Sequence, residues 1–206
     1  MSLHSKNSDS SSTGSRQFNL DSHLTGAVRG GLRADPATGA LLTPIYQSTT
    51  YQQEAVGVHK GHTYSRASNP TVSALEEALG ALEDTPPAVC YATGMAAISG
   101  IFLALLQSGD HVVLSDVVYG GTVRLFDQVL GHLGIESSFV DTANPATVKA
   151  AIRPSTRMVF IETPANPTLK LTDVPAIAAI TQSAGLLLVV DNTLLTPLLL
   201  RPLDLG

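Results

Sequence analysis

Residues 186–192 read Leu186-Leu187-Leu188-Val189-Val190-Asp191-Asn192. An apolar run this short, with Gly185 before it and a carboxylate after it, has the pattern of a strand covered on both faces, as in parallel sheets. A carboxylate closing such a run is expected to be buried, and a buried charge needs a partner. Asp191 could cap the next segment, because Asp favours helix N-termini, or it could face the protonated ring nitrogen of a bound cofactor. Asn192 and Thr193 are able to cap as well, which favours the second reading.

The same grammar extends back along the chain. Strands are expected at Ala88–Ala92, His111–Ser115, Ile135–Val140 and Met158–Glu162. Helices are expected between them: 94–105, about 122–133, 145–152 and about 174–184, the second with Val123, Phe126, Val129, Leu130 and Leu133 at helical spacing. Strand and helix in alternation imply an α/β domain, a mostly parallel sheet with helices on both faces. Before this region, Asn69-Pro70-Thr71 opens a helix over Val72–Leu82. Residues 18–63 carry several Gly and Pro breakers and no sustained period, so they read as an arm that packs on something else, such as a neighbouring subunit. Residues 1–17 are rich in Ser and read as a disordered tail without the apolar centre of a signal peptide.

Composition narrows the function classes. With 44% hydrophobic and 14% charged residues, the chain can build a sizeable core. A net charge of -5 gives no electrostatic reason to expect nucleic acid or an anionic membrane. No apolar stretch approaches the roughly 18 residues a membrane helix needs. The single cysteine, Cys90, excludes a disulfide framework and fits a reducing, cytoplasmic setting.

In open parallel sheets, ligands bind beyond the carboxyl ends of the strands. Those ends carry polar clusters here: Thr93-Gly94-Met95, Ser115-Asp116 leading to Tyr119-Gly120-Gly121-Thr122, Glu162-Thr163-Pro164-Ala165-Asn166-Pro167, and Asp191-Asn192-Thr193. Free N–H groups at Gly94 and Met95, with the dipole of the helix behind them, would make a phosphate cradle. A glycine at a strand–helix junction serves a tight turn as readily. Tyr119 could stack on a flat cofactor or close a loop over the core. Asn166, held between Pro164 and Pro167, could bond a ring hydroxyl or simply shape a turn. His59 and His62 sit among glycines with no further ligands nearby and read as a solvated loop. No G-x-G-x-x-G fingerprint and no G-x-S-x-G elbow is present.

These motifs, joined by Thr63-Tyr64-Ser65-Arg66 with Asn69-Pro70-Thr71, together resemble the Cys/Met-metabolism family of pyridoxal-phosphate enzymes from about Thr25 to Gly206. That family includes cystathionine γ-synthase, cystathionine γ-lyase, methionine γ-lyase and O-acetylhomoserine sulfhydrylase. The resemblance implies a fold-type I, aspartate-aminotransferase-like large domain over residues 64–206 and pyridoxal 5'-phosphate as cofactor. It also implies γ-elimination or γ-replacement on sulfur amino acids or homoserine esters. By the same resemblance, Gly94 and Met95 would hold the phosphate, Tyr119 would stack on the ring and assist proton transfer, and Asn166 would approach the ring hydroxyl. Asp191, with Thr193 beside it, would pair with the ring nitrogen. Tyr64 and Arg66 would reach the phosphate of a neighbouring subunit in a dimer of dimers. Gly121 after Tyr119-Gly120 is more like the cystathionine enzymes than methionine γ-lyases, which often have cysteine there. Family members carry their Schiff-base lysine beyond the aspartate in a Ser-x-x-Lys-like segment, and Lys6, Lys60, Lys149 and Lys170 lie in no such context. The chain therefore reads as an N-terminal part, truncated before that lysine and inactive alone. The reading from another class is a shortened, partner-binding pseudoenzyme.

Overall fold

The computed structural model describes residues 20–206; the expected tail over residues 1–17 lies outside the described residues. In chain order the elements are α1 (Leu20–Arg29), α2 (Pro70–Glu83), α3 (Gly94–Leu105), β1 (His111–Ser115), α4 (Gly120–Leu125), β2 (Glu136–Val140), α5 (Pro145–Ala151), β3 (Thr156–Glu162), α6 (Val174–Ala184), β4 (Leu187–Asp191) and α7 (Thr196–Leu199). The strands form one parallel sheet in the order β2-β1-β3-β4.

Strand alternation divides the core in two. Val112 and Leu114 of β1 and Met158 and Phe160 of β3 face Ile98 and Phe102 of α3 and Phe126 beyond α4. Val113, Val159 and Ile161 face the other way, onto Val148 of α5 and Ile177 of α6. Phe102 meets Phe126 edge-on at 4.9 Å and Phe160 at 5.3 Å between centroids. Each such buried ring stabilises the fold by about 2–3 kcal/mol. The connection from β1 to β2 runs over the first face, and the return past β1 to β3 runs over the second, as right-handed crossovers demand when strand order reverses. That reversal opens a crevice beyond the carboxyl ends of β1 and β3.

Local sequence sets the boundaries. Asn69 caps α2 by accepting the Thr71 N–H at 2.8 Å, with Pro70 at the first helical position. Asp173 caps α6, accepting the Ala176 N–H at 3.0 Å, and α6 ends at Gly185 in the left-handed region (φ 64°), where glycine carries no penalty. No helix among the described residues is long and apolar enough to cross a membrane.

Four expectations are corrected. Among the described residues Ala88–Ala92 joins no ladder: the Ala88 and Cys90 N–H groups go to Glu76 of α2, its backbone oxygen at 2.9 Å and its Oε1 at 3.1 Å. The helix expected over 122–133 starts at Gly120 and widens into a π-helical turn at Phe126–Leu130, closed by the Gly131 N–H on the Phe126 carbonyl at 2.9 Å. The wider turn keeps Phe126 and Leu130 buried together. The arm is not aperiodic throughout: Leu20–Arg29 form α1, which packs on α2 and α7. Its residues 44–51 are also stitched to the chain's own 63–71, through Tyr46 N–H on Thr71 Oγ1 (2.9 Å) and Tyr51 N–H on the Thr63 carbonyl (3.1 Å). Finally, among the described residues β4 pairs only with β3, so its residues are half-buried rather than covered on both faces, and Leu187 is 47% exposed.

Candidate active site

A cleft of about 530 Å³ lies at the crevice that the strand reversal creates. Its walls bring together Gly94 and Met95 at the start of α3, Tyr119 at the start of α4, Asn166 after β3, and Asp191 and Thr193 after β4. Tyr64 and Arg66 line no part of it. The Arg66 guanidinium instead sits 5.0 Å over the ring of its own Tyr64.

The α3 wall follows from one capping residue. Thr93 is extended (φ −148°, ψ 156°) and its Oγ1 accepts the Ala96 N–H at 3.1 Å. The Ala97 N–H bonds the Thr93 carbonyl at 3.1 Å. Helix geometry leaves the amides of Gly94 and Met95 with no acceptor inside the helix. A Cβ built on Gly94 meets nothing within 4 Å, so the space beside that residue is open.

Tyr119 is held by its backbone rather than its hydroxyl. Its N–H donates to Glu162 Oε2 at 2.7 Å, and its side chain is 55% exposed. A Cβ on Gly121 would lie 2.5 Å from Tyr119 Cε1 and 2.7 Å from Met95 Sδ. Glycine is thus what lets the tyrosine ring lie close against Met95.

At the β4 crest, Asp191 lines the cleft half-buried, and its Oδ1 accepts both the Thr193 N–H at 3.1 Å and the Thr193 hydroxyl at 2.5 Å. The fully buried charge expected from the strand pattern is therefore moderated, because β4 is a sheet edge among the described residues. Asn166 stands on a loop closed by the Ala165 N–H on the Lys170 carbonyl (3.0 Å) and by the Thr172 N–H on Thr163 Oγ1 (3.1 Å).

Sequence reasoning passed over Glu162 as a site residue. It lies opposite Asp191 in the β3–β4 register and lines the same cleft. Burial pushes its carboxyl above the usual range; the Tyr119 and Asn166 N–H groups pull it down, and the Asp191 charge adds to the rise. The signal was legible: Met158-Val159-Phe160-Ile161-Glu162 is the same apolar run ending in a carboxylate that singled out Asp191.

Lys170 is committed elsewhere. Its Nζ lies 2.9 Å from Asp116 and 2.7 Å from Asp141, tying the crests of β1 and β2 to the loop after β3. His59 Nδ1 accepts the Gly61 N–H at 3.1 Å, while His62 Nδ1 lies 2.9 Å from Ser68 Oγ, so the two imidazoles serve separate loops. Among the described residues no group of His, Cys, Asp or Glu is arranged to hold a metal ion.

The family model described as Cys/Met metabolism PLP-dependent enzyme matches residues 24–206. The chain belongs to the Cys/Met-metabolism family of pyridoxal-phosphate-dependent enzymes. It is 50% identical over 179 residues to a cystathionine gamma-lyase of Bacillus subtilis, covering 87% of this chain and 47% of that protein. A cystathionine beta-lyase of Coxiella burnetii is 45% identical over 190 residues, covering 91% of this chain and 49% of that protein. Among solved structures, metB of Corynebacterium glutamicum superposes with a TM-score of 0.87 at 42% identity, covering 92% of this chain and 50% of that one. The cystathionine gamma-lyase of Lactobacillus plantarum, solved with L-serine, gives 0.86 at 42% identity, covering 89% and 48%. The chain thus spans about half the length of the curated relatives it matches. As a member of this family it has pyridoxal phosphate as its cofactor, and its fold is that of a fold-type I large domain.

Proposed function

We propose that this chain is the cofactor-binding half of a pyridoxal-phosphate enzyme that eliminates or replaces the γ-substituent of a sulfur amino acid or homoserine ester. The observation that carries the reading is the meeting, on one cleft, of two helix-start amides, an aromatic ring and a carboxylate. That donor set fits an anionic phosphate, a flat ring and a basic ring nitrogen respectively. When bound, the cofactor supplies an electron sink for carbanion chemistry at an amino-acid substrate.

The chain's own residues would then divide the work. Gly94 and Met95 amides would hold the phosphate. Asp191, with its Oδ1 fixed by Thr193, would keep the proton on the ring nitrogen. Tyr119 would cover one face of the ring and exchange a proton through its hydroxyl. Asn166 would present its amide to the ring hydroxyl. Tyr64 and Arg66, outside their own cleft, would serve the phosphate of a second copy. The exposed Leu41, Leu42, Ile45 and Val56 of the arm, with 72%, 77%, 79% and 103% exposure, support a partner subunit there. We place the assembly as a dimer of dimers, in the cytoplasm.

The beta-lyase relatives support a second reading, in which the bond broken is at the β-carbon. Both are tested on the complete gene product with pyridoxal phosphate present, by following ketoacid release from cystathionine and from O-acetylhomoserine, and thioether formation from O-acetylhomoserine with cysteine. Release of homocysteine with pyruvate from cystathionine marks β-cleavage, whereas cysteine with 2-oxobutanoate marks γ-cleavage. No turnover of either substrate by cofactor-loaded protein would overturn the proposal.

A further inference from the structure

We propose that Glu162 is a positioning residue that sets the gap between Tyr119 and Asn166, the side chains on two separate loops facing the cleft. The inference rests on the cofactor reading above for its purpose, but not for its geometry. One carboxylate receives both loops through their main chains: the Tyr119 N–H at 2.7 Å on Oε2 and the Asn166 N–H at 3.5 Å on Oε1. Its mount is firm. Glu162 ends β3, whose Met158, Val159, Phe160 and Ile161 are all buried, with 0%, 0%, 1% and 0% exposure, and which pairs on both sides, with β1 and β4.

The Asn166 loop has bonds of its own, from the Ala165 N–H to the Lys170 carbonyl and from the Thr172 N–H to Thr163 Oγ1, but none of them ties it to the Tyr119 loop. The start of α4 has no side-chain cap from its own sequence, so the amide preceding that helix finds its acceptor on another strand. Both donors are main-chain amides, so the bonds fix where each loop's backbone runs whatever rotamers Tyr119 and Asn166 adopt. The arrangement also has an electrostatic cost. Glu162 faces Asp191 across the β3–β4 register, and a second acid there repels the first. A neutral acceptor could satisfy one amide without that repulsion, but only a carboxylate presents two acceptor oxygens to two loops.

The test uses the complete gene product and the variants Glu162→Ala and Glu162→Gln. In cofactor-free protein, amide hydrogen exchange is compared over segments 117–123 and 163–169. The alanine variant should exchange faster in both segments together, with core segment 156–161 unchanged. The glutamine variant, which keeps one acceptor oxygen, should restore protection mainly in 117–123. With pyridoxal phosphate bound, the induced circular dichroism of the cofactor band should fall per bound molecule in the alanine variant and recover in part in the glutamine variant. Cofactor affinity should weaken by about ten-fold on loss of the charged acceptor. Wild-type exchange in both segments with a wild-type dichroism band would overturn the proposal. Should the alanine variant fail to fold, the glutamine variant decides alone, and wild-type protection in 163–169 overturns it. If wild-type protein takes up no pyridoxal phosphate, the cofactor reading fails while the exchange result still judges the tie.

Discussion

Gly94→Pro separates the phosphate cradle from the fold that carries it. Gly94 is the first residue of α3, the position where proline is best tolerated, since its N–H has no partner inside the helix. Thr93 already holds the extended conformation that a residue before proline must adopt (φ −148°, ψ 156°). Gly94 has no positive φ and an added Cβ meets nothing within 4 Å, so backbone conformation and the space at Cβ both admit a side chain there. Replacing a flexible residue by proline at a compatible site stabilises by about 0.4–1 kcal/mol, through the unfolded chain. The unfolding temperature should therefore hold or rise by about 1–4 °C. Binding should move the other way. One N–H donor to a charged phosphate is worth about 1.5–3 kcal/mol, which corresponds to a loss of about 10- to 150-fold in cofactor affinity. Gly94→Ala keeps the N–H and should bind within about three-fold of wild type. The assay is a titration of the complete gene product with pyridoxal phosphate and, in parallel, with pyridoxal, which lacks the phosphate. The preference for the phosphorylated form should shrink in the proline variant alone. A proline variant that unfolds at the wild-type temperature and keeps the wild-type preference would refute the assignment of Gly94 to the phosphate.

Asp191→Asn keeps an oxygen for the Thr193 N–H and hydroxyl, so the fold should persist while the negative charge is lost; turnover is expected to drop by about a hundred-fold, and full turnover would remove Asp191 from the mechanism. Lys170→Met leaves Asp116 and Asp141 facing each other and should lower the unfolding temperature at low salt. The deficit should narrow in 1 M salt, where the Debye length falls to about 3 Å, and an identical deficit at both salts would contradict an electrostatic role. His111 is fully buried between Thr156 Oγ1 (2.8 Å) and Ser138 Oγ (3.0 Å), and burial, then the nearby Arg153, push its imidazole below the ordinary 6.5 while Glu136 opposes. The unfolded chain thus binds this proton more readily, so stability is full above pH 6.5 and falls as the pH drops through it. His111→Gln should flatten that acid limb in urea titrations between pH 8 and 5, and an unchanged limb would show that the imidazole carries none of it.

Much of the fold was legible because the residues that build it act locally. The apolar runs at 111–115, 158–162 and 186–190, the caps at Asn69 and Asp173, and the stop at Gly185 each describe their own segment. The misreadings arose where a distant partner decides. Ala88–Ala92 has the composition of a strand, yet its Ala88 and Cys90 amides are claimed by Glu76 of α2. The helix after Tyr119 breaks its period at Phe126 because two side chains must reach the same core.

The site divides in the same way. Sequence order alone placed Gly94, Met95, Tyr119, Asn166, Asp191 and Thr193 at carboxyl ends of strands or the helix starts that follow them, and parallel topology sends every such end to one side of the sheet. Which of them share a cleft follows from the strand order β2-β1-β3-β4, which no single segment encodes, and Tyr64 and Arg66 lie outside that cleft. The role of Glu162 belongs wholly to the tertiary structure. Its register with Asp191 and its grip on two loops 43 and 4 residues away in sequence exist only once β1, β3 and β4 lie side by side.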